Sequence, residues 1–158
     1  MNIRLIAHRG NLKGPNKMEN HPDYLLSALG QGFDCEADVW LVNRRIFLGH
    51  DNPEYQVEEA FLKNPGFWLH AKNLEALEYL LNENLICFWH ENDAYTITSN
   101  GFIWANIGQP VSRSTILVSL MKNESFNETR AGPYGVCSDY VFDIRSHFFT
   151  NHRGKANE

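Results

Sequence analysis

The sequence has little cysteine, three residues in 158: Cys35, Cys87 and Cys137. They lie far apart with no Cys-x-x-Cys spacing, which argues against a disulfide scaffold or a structural zinc knot and leaves reduced, buried thiols as the expectation. Runs of Lys or Arg are also missing. Fourteen basic side chains against nineteen acidic ones give a formal charge of -5, so the basic stripe of a nucleic-acid binder is lacking and no nucleic-acid partner is expected. No apolar run approaches membrane-spanning length, and no N-terminal segment has the basic, apolar and small-residue order of a signal peptide. A cytoplasmic protein without stable membrane insertion is the corresponding expectation. Internal repeats and linkers are absent as well. What is there is a 43% apolar composition with four Trp and ten Phe, sufficient for one real core. A single domain over residues 1–151 is expected, with a polar tail over 152–158.

Hydrophobic patterning alternates between strand and helix in the first half. IRLIAH (3–8) reads as a strand and is followed by a long loop rich in Gly, Asn and Pro. PDYLLSALGQG opens with Pro22 and Asp23, both suited to a first helical turn, and stops at Gly30 and Gly32. FDCEADVWLV and RRIFLGH are two strands around a turn near Asn43, QVEEAFLKN is a short helix, and FWLHAKN is another strand. LEALEYLLNEN sets Leu74, Leu77, Leu80 and Leu81 along one side of a helix, and LICFWHEND gives a strand ending at His90. Beyond it AYTITSNGFIWANIG is a hairpin signal around Ser99-Asn100-Gly101, STILVSLM is a strand or a helical turn, and GPYGVCSDYVF is a last strand. Repeated β-α units favour a parallel sheet or barrel with its ligands at the carboxyl ends of the strands. The chain is well short of the roughly 250 residues of a full eight-unit barrel. The expected architecture is α/β: a reduced or irregular (β/α) barrel of the triosephosphate-isomerase type, β-rich and helix-poor in its second half. Missing helices would leave apolar strand faces uncovered, and a homodimer could cover them.

Polar residues gather at the strand ends. His8 and Arg9 end the first strand, Glu36 and Asp38 lie on the second, His50 and Asp51 end the third, and His70 and Lys72 end the next. Side chains two apart on a strand face the same way, so Glu36 and Asp38 sit side by side. Two neighbouring carboxylates that are buried need a cation or a proton between them, and oxygen ligands favour Mg²⁺ or Ca²⁺. The alternative is that both reach solvent or pair with Arg44 and Arg45. His8 and His50 form an acid-base pair on chemical grounds, Arg9 offers a planar fork for phosphate oxygens, and Glu19 in the first loop caps a helix or orients Arg9 or His8. Trp89, Tyr95, Phe102 and Trp104 are placed either in the core or around a pocket.

His8-Arg9-Gly10, Glu19-Asn20, Glu36-Ala37-Asp38 and His50-Asp51, in that order, resemble the motif series of the glycerophosphodiester phosphodiesterase family, whose barrel is of the phosphatidylinositol-phospholipase-C kind. The resemblance rests on residues 1–51, reaches Lys72, and returns only in GPYGVCSDY. It implies a metal-dependent phosphodiester hydrolase acting on a small glycerol- or sugar-linked substrate. By that resemblance His8 and His50 are the catalytic acid-base pair, Arg9 and Lys72 contact the substrate phosphate, and Glu36, Asp38 and Glu19 hold or orient the metal, while His70 either takes a place in the metal shell or contacts the substrate phosphate. The family carries a third acidic ligand where this chain has His70. Exchanging a carboxylate for imidazole weakens a site for Mg²⁺ or Ca²⁺ and makes Mn²⁺ or Zn²⁺ more competitive. A phosphate-ester binding or regulatory protein without turnover is the competing reading, as is a different metal-dependent enzyme on a sugar phosphate.

Overall fold

The computed structural model describes residues 3–122 and 132–153. Its strands are β1 (Arg4–Ala7), β2 (Asp34–Val42), β3 (Arg45–Leu48), β4 (Tyr55–Val57), β5 (Phe67–Ala71), β6 (Cys87–Phe88), β7 (Tyr95–Ile97), β8 (Ile103–Asn106), β9 (Thr115–Val118) and β10 (Gly135–Ser138). The helices are α1 (Pro22–Gly30), α2 (Glu59–Leu62), α3 (Leu74–Asn82) and α4 (Val141–Arg153). None of them is long and apolar enough to cross a membrane among the described residues.

Parallel pairing runs from β6 through β5, β2, β1, β10 and β9 to β8, and β7 folds back antiparallel on β8. Where β6 and β7 approach, a few bonds replace a ladder: Ser99 N–H to the Cys87 carbonyl, Cys87 N–H to Ser99 Oγ, and Thr96 Oγ1 to the Trp89 carbonyl. The result is a curled, incomplete mixed sheet, a reduced and irregular (β/α) barrel whose second half carries few helices. β3 and β4 form an antiparallel flap on the distal half of β2.

Period-2 alternation divides each strand between two cores. Ala7, Cys35, Ala37, Val39, Leu69 and Ala71 face outward and are covered by Leu25 and Ala28 of α1, Ala76 and Leu80 of α3, and Val141 of α4. Ile6, Trp68, Phe88, Trp104, Ile116 and Cys137 face inward and plug the curl; the Phe88 and Trp104 rings stack with centroids 4.4 Å apart. Trp104 therefore belongs to the core, and Phe102 packs edge-on against Trp68, whereas Trp89 and Tyr95 are exposed. All three cysteines are free and buried, and burial pushes each thiol upward, away from nucleophilic thiolate.

The local chemistry of the elements is legible. His21 caps α1 by accepting from Asp23 N–H, Pro22 occupies the first turn, and Gly32 at φ 83° ends the segment. Asn73 caps α3 through Ala76 N–H and also bonds both the N–H and the carbonyl of Leu41, tying the helix start to β2. Three sequence expectations need correction. The segment after Pro53 enters a strand, β4, before a helix of only four residues, because Tyr55 and Val57 pair with β3. On α3 the buried positions are Ala76 and Leu80, while Leu74 (61%) and Leu81 (49%) stay exposed. Helix α4 was not expected, and it extends to Arg153, past the point where a tail was placed; residues 154–158 lie outside the described residues. On the side without helices, Tyr95, Ile97, Ile103, Pro110 and Val111 line an open groove of about 780 Å³.

Candidate metal centre and acid-base site

On β1, β5 and β10 the inward-facing row is apolar within the strand and turns polar at its carboxyl end. Thus Ile6 is followed by His8, Trp68 by His70 and Lys72, and Cys137 by Asp139. Register completes the gathering: Glu36 lies beside Trp68, and Asp38 beside His70, on neighbouring parallel strands. The polar ends meet above the aromatic plug, at the edge of the sheet where barrels of this kind bind ligands.

Glu36, Asp38 and His70 form one group whose ligand atoms all lie within 4.8 Å of one another. Both carboxylates are buried, and neither pairs with Arg44 or Arg45, which are exposed. His70 Nδ1 stands 3.0 Å from Asp38 Oδ1 and 3.8 Å from Glu36 Oε1. The other imidazole nitrogen, Nε2, donates to the His90 carbonyl at 2.9 Å. That bond accounts for one ring proton and turns the Nδ1 position toward the two acids. Asp38 Oδ1, fully buried, has no hydrogen-bond donor despite the nearness of Nδ1, because the contact lacks hydrogen-bond alignment. A buried anionic oxygen without a donor, beside a second carboxylate and a nitrogen, is the donor set a divalent cation satisfies. The Phe88 ring stacks against His70 at 5.0 Å and holds the imidazole plane.

Asn20 fixes Asp38. Its side-chain amide donates to Asp38 Oδ2 at 2.8 Å and accepts from Asp38 N–H at 2.9 Å, with its own backbone at φ 62°. Arg9 is left-handed too, at φ 52°, a conformation costly for any residue with a Cβ and kept here because its N–H donates to Glu36 Oε2 at 3.1 Å. Its guanidinium bonds Glu19 through Nη1 at 3.1 Å and sets Nε 3.1 Å from Asp38 Oδ2. Glu19 gives its second oxygen to Asn11 Nδ2, so this acid holds Arg9 and Asn11 and stands outside the metal-ligand group. Lys72 Nζ is 3.6 Å from Asp38 Oδ1.

His8 occupies the other side of Glu36. Its Nδ1 lies 2.8 Å from Asp139 Oδ1, which also accepts from buried Asn11, and its Nε2 is 3.9 Å from Glu36 Oε2. Burial pulls the His8 pKa down, but the Asp139 bond and the Glu36 charge outweigh it and leave it raised. Asp139, for which burial acts upward, is held below its ordinary value by the same bond. For Glu36, burial and then the Asp38 charge raise the pKa; for Asp38, the nearness of His70, with the Arg9 charge and the Asn20 bond, overcomes burial and lowers it.

The structure thus brings together His8, Arg9, Glu19, Glu36, Asp38, His70 and Lys72. His50 stands apart: its side chain is 41% exposed, and Nδ1 lies 2.6 Å from Asp51. Its backbone is close to the site, since Gly49 N–H bonds the Asp38 carbonyl and the Gly49 carbonyl accepts from Trp40 Nε1. Sequence reasoning missed Asp139 and Asn11 as members of the site; Asn20 stood in the Glu19-Asn20 motif, but its partner Asp38 was not foreseen. The signal for Asp139 was its place two residues beyond inward Cys137 on the last strand. Asn11 sits in a loop, where no periodicity points to it. The chain matches no protein-family model, no curated protein and no solved structure.

Proposed function

We propose that the protein is a metal-dependent phosphodiester hydrolase of the glycerophosphodiester phosphodiesterase type, acting on a small glycerol- or sugar-linked phosphodiester. The observation that carries this reading is the donor-less Asp38 oxygen within the Glu36, Asp38 and His70 group, set at the carboxyl ends of a curled parallel sheet beside Arg9. Charge supports it. Glu19, Glu36, Asp38 and Asp139 bring four carboxyl groups together against Arg9, Lys72 and the His8 imidazole, an acidic balance that a divalent cation offsets so that a phosphodiester can approach.

In this reading Glu36, Asp38 and His70 hold the ion, which when bound draws charge from the phosphoryl oxygens. Arg9, its fork steadied by Glu19, and Lys72 orient those oxygens and stabilise the negative charge that builds on them. His8 keeps its Nδ1 proton on Asp139, so proton exchange occurs at Nε2. One of His8 and His50 takes the proton of the attacking hydroxyl, from water or from a neighbouring group of the substrate, as the new P–O bond forms. The other gives a proton to the alkoxide as the old P–O bond breaks.

Alcohol release from glycerophosphodiesters, measured with each divalent ion in turn, tests the reading. His8→Ala and His50→Ala should each lower kcat by about 10²-fold or more, and Asp38→Asn should abolish ion dependence. A wild-type protein that turns over no phosphodiester with any ion overturns the proposal. The outward, Asp51-paired His50 favours a second reading, a phosphate-ester binding protein, which predicts tight ester binding without alcohol release.

A further inference from the structure

The metal-binding reading leaves open which ion, and His70 decides it. Its Nε2 proton is committed to the His90 carbonyl, and the ring is clamped by Phe88, so the ligand position is a nitrogen whose tautomer and direction are set before any ion arrives. The remaining donors are one oxygen each from Glu36 and Asp38. Alkaline-earth ions take six or more hard oxygen ligands at Ca²⁺ sites, or near-ideal octahedral oxygen shells at Mg²⁺ sites, and gain little from imidazole. Ions later in the first transition series bind imidazole readily and accept lower coordination numbers. Glu19, the acid that could have supplied further oxygens, is taken up by Arg9 and Asn11.

We infer that this centre is built for a divalent ion of the later first transition series that accepts an imidazole nitrogen, zinc or cobalt, in preference to Mg²⁺ or Ca²⁺. The inference rests on the metal-binding reading above and assigns His70 as the residue that sets the selectivity. The carbonyl of His90 is the group that orients it. This arrangement is the carbonyl-histidine-metal relay in which a bonded outer nitrogen raises the basicity of the inner one.

Equilibrium dialysis of the chelator-stripped full chain against Zn²⁺, Co²⁺, Mn²⁺, Mg²⁺ and Ca²⁺ tests it, together with ¹⁵N spectra of histidine-labelled protein. The expected result is that Zn²⁺ and Co²⁺ bind at least about 100-fold more tightly than Mg²⁺ and Ca²⁺. Zn²⁺ should move the His70 Nδ1 resonance and leave its Nε2 proton in place. His70→Glu should cut Zn²⁺ affinity at least tenfold and raise that for Mg²⁺ and Ca²⁺, and His70→Gln should weaken Zn²⁺ without that gain. Thermal melts of the metal-free variants confirm folding. If Mg²⁺ or Ca²⁺ binds within tenfold of Zn²⁺, and Asp38→Asn abolishes that binding, the selectivity inference fails while the metal reading stands. Zn²⁺ bound with an unmoved His70 resonance also overturns it. If none of the ions binds, both readings fall.

Discussion

The strongest test of the architecture around the centre is removal of Asn20. Its amide makes two bonds to one buried residue, 2.8 Å to the Asp38 carboxylate and 2.9 Å from the Asp38 backbone N–H, and Asn20 itself is 1% exposed. In Asn20→Ala the Asp38 N–H is left buried without an acceptor, at a cost of about 1–3 kcal/mol, and the carboxylate loses a charge-assisted bond worth about 1.5–3 kcal/mol. Alanine also suits the left-handed backbone at φ 62° less well than asparagine does. The sum is a loss of about 3–5 kcal/mol. Urea denaturation reads it directly: with a slope of about 2 kcal/mol/M, the midpoint should fall by about 1.5–2.5 M at unchanged slope. The exposed Asn16, changed to alanine in parallel, should cost no more than about 0.5 kcal/mol. Coupling locates the effect, because Asn20→Ala made in an Asp38→Ala background should lose the share of its cost owed to the carboxylate, about 1.5–3 kcal/mol, and keep the share owed to the backbone N–H of residue 38. A loss below about 1 kcal/mol, or an equal loss in both backgrounds, would refute the idea that Asn20 acts by holding Asp38.

Two further expectations concern charge and backbone. Burial and the Asp38 charge raise the pKa of Glu36 in the folded protein. A carboxyl raised on folding contributes stability that is full below its unfolded value of about 4.5 and is lost as pH rises through the folded value. Metal-free Glu36→Gln should therefore melt higher than wild type at pH 7 to 8, with the gap closing below about pH 4.5; a gap independent of pH would count against a buried charged Glu36. In the β2–β3 turn, Asn43 and Arg44 both have positive φ, 51° and 62°, the geometry of a hairpin turn that prefers Asn-Gly. Arg44→Gly should thus stabilise the protein by roughly 0.5–1 kcal/mol in the same urea experiment, and a destabilisation would show that the Arg44 side chain contributes contacts of its own.

Much of this arrangement was legible because it depends on short-range rules. The two-residue spacing of Glu36 and Asp38 fixes their shared face whatever the rest of the chain does, and both are buried on it. Gly30, Gly32, Pro22 and the Ser99-Asn100-Gly101 turn delimit their elements by backbone chemistry alone. What escaped depends on tertiary partners. The polar partners of His8 are Asp139 and, through it, Asn11, one of them 131 residues away. Helix α4 has charged and polar residues interleaved with its aromatics, and only where Phe33 and Phe142 meet edge-on at 5.4 Å does its packing become clear. His50 was grouped with His8 by its motif, while the turn that follows β3 directs its ring to Asp51.

Pairing β1 with β10 has a consequence for biosynthesis. The bond between His8 and Asp139 spans 131 residues, so at translation rates of about 5–20 residues per second the first half of the acid-base site waits roughly 7–26 seconds for its partner to emerge. During that interval one edge of β1 has no neighbour, and the carboxylates on β2 are already beside it. A nascent chain that stalls before the last strand holds acids without the residue that sets the imidazole, so the polar cluster is complete only once β10 has emerged.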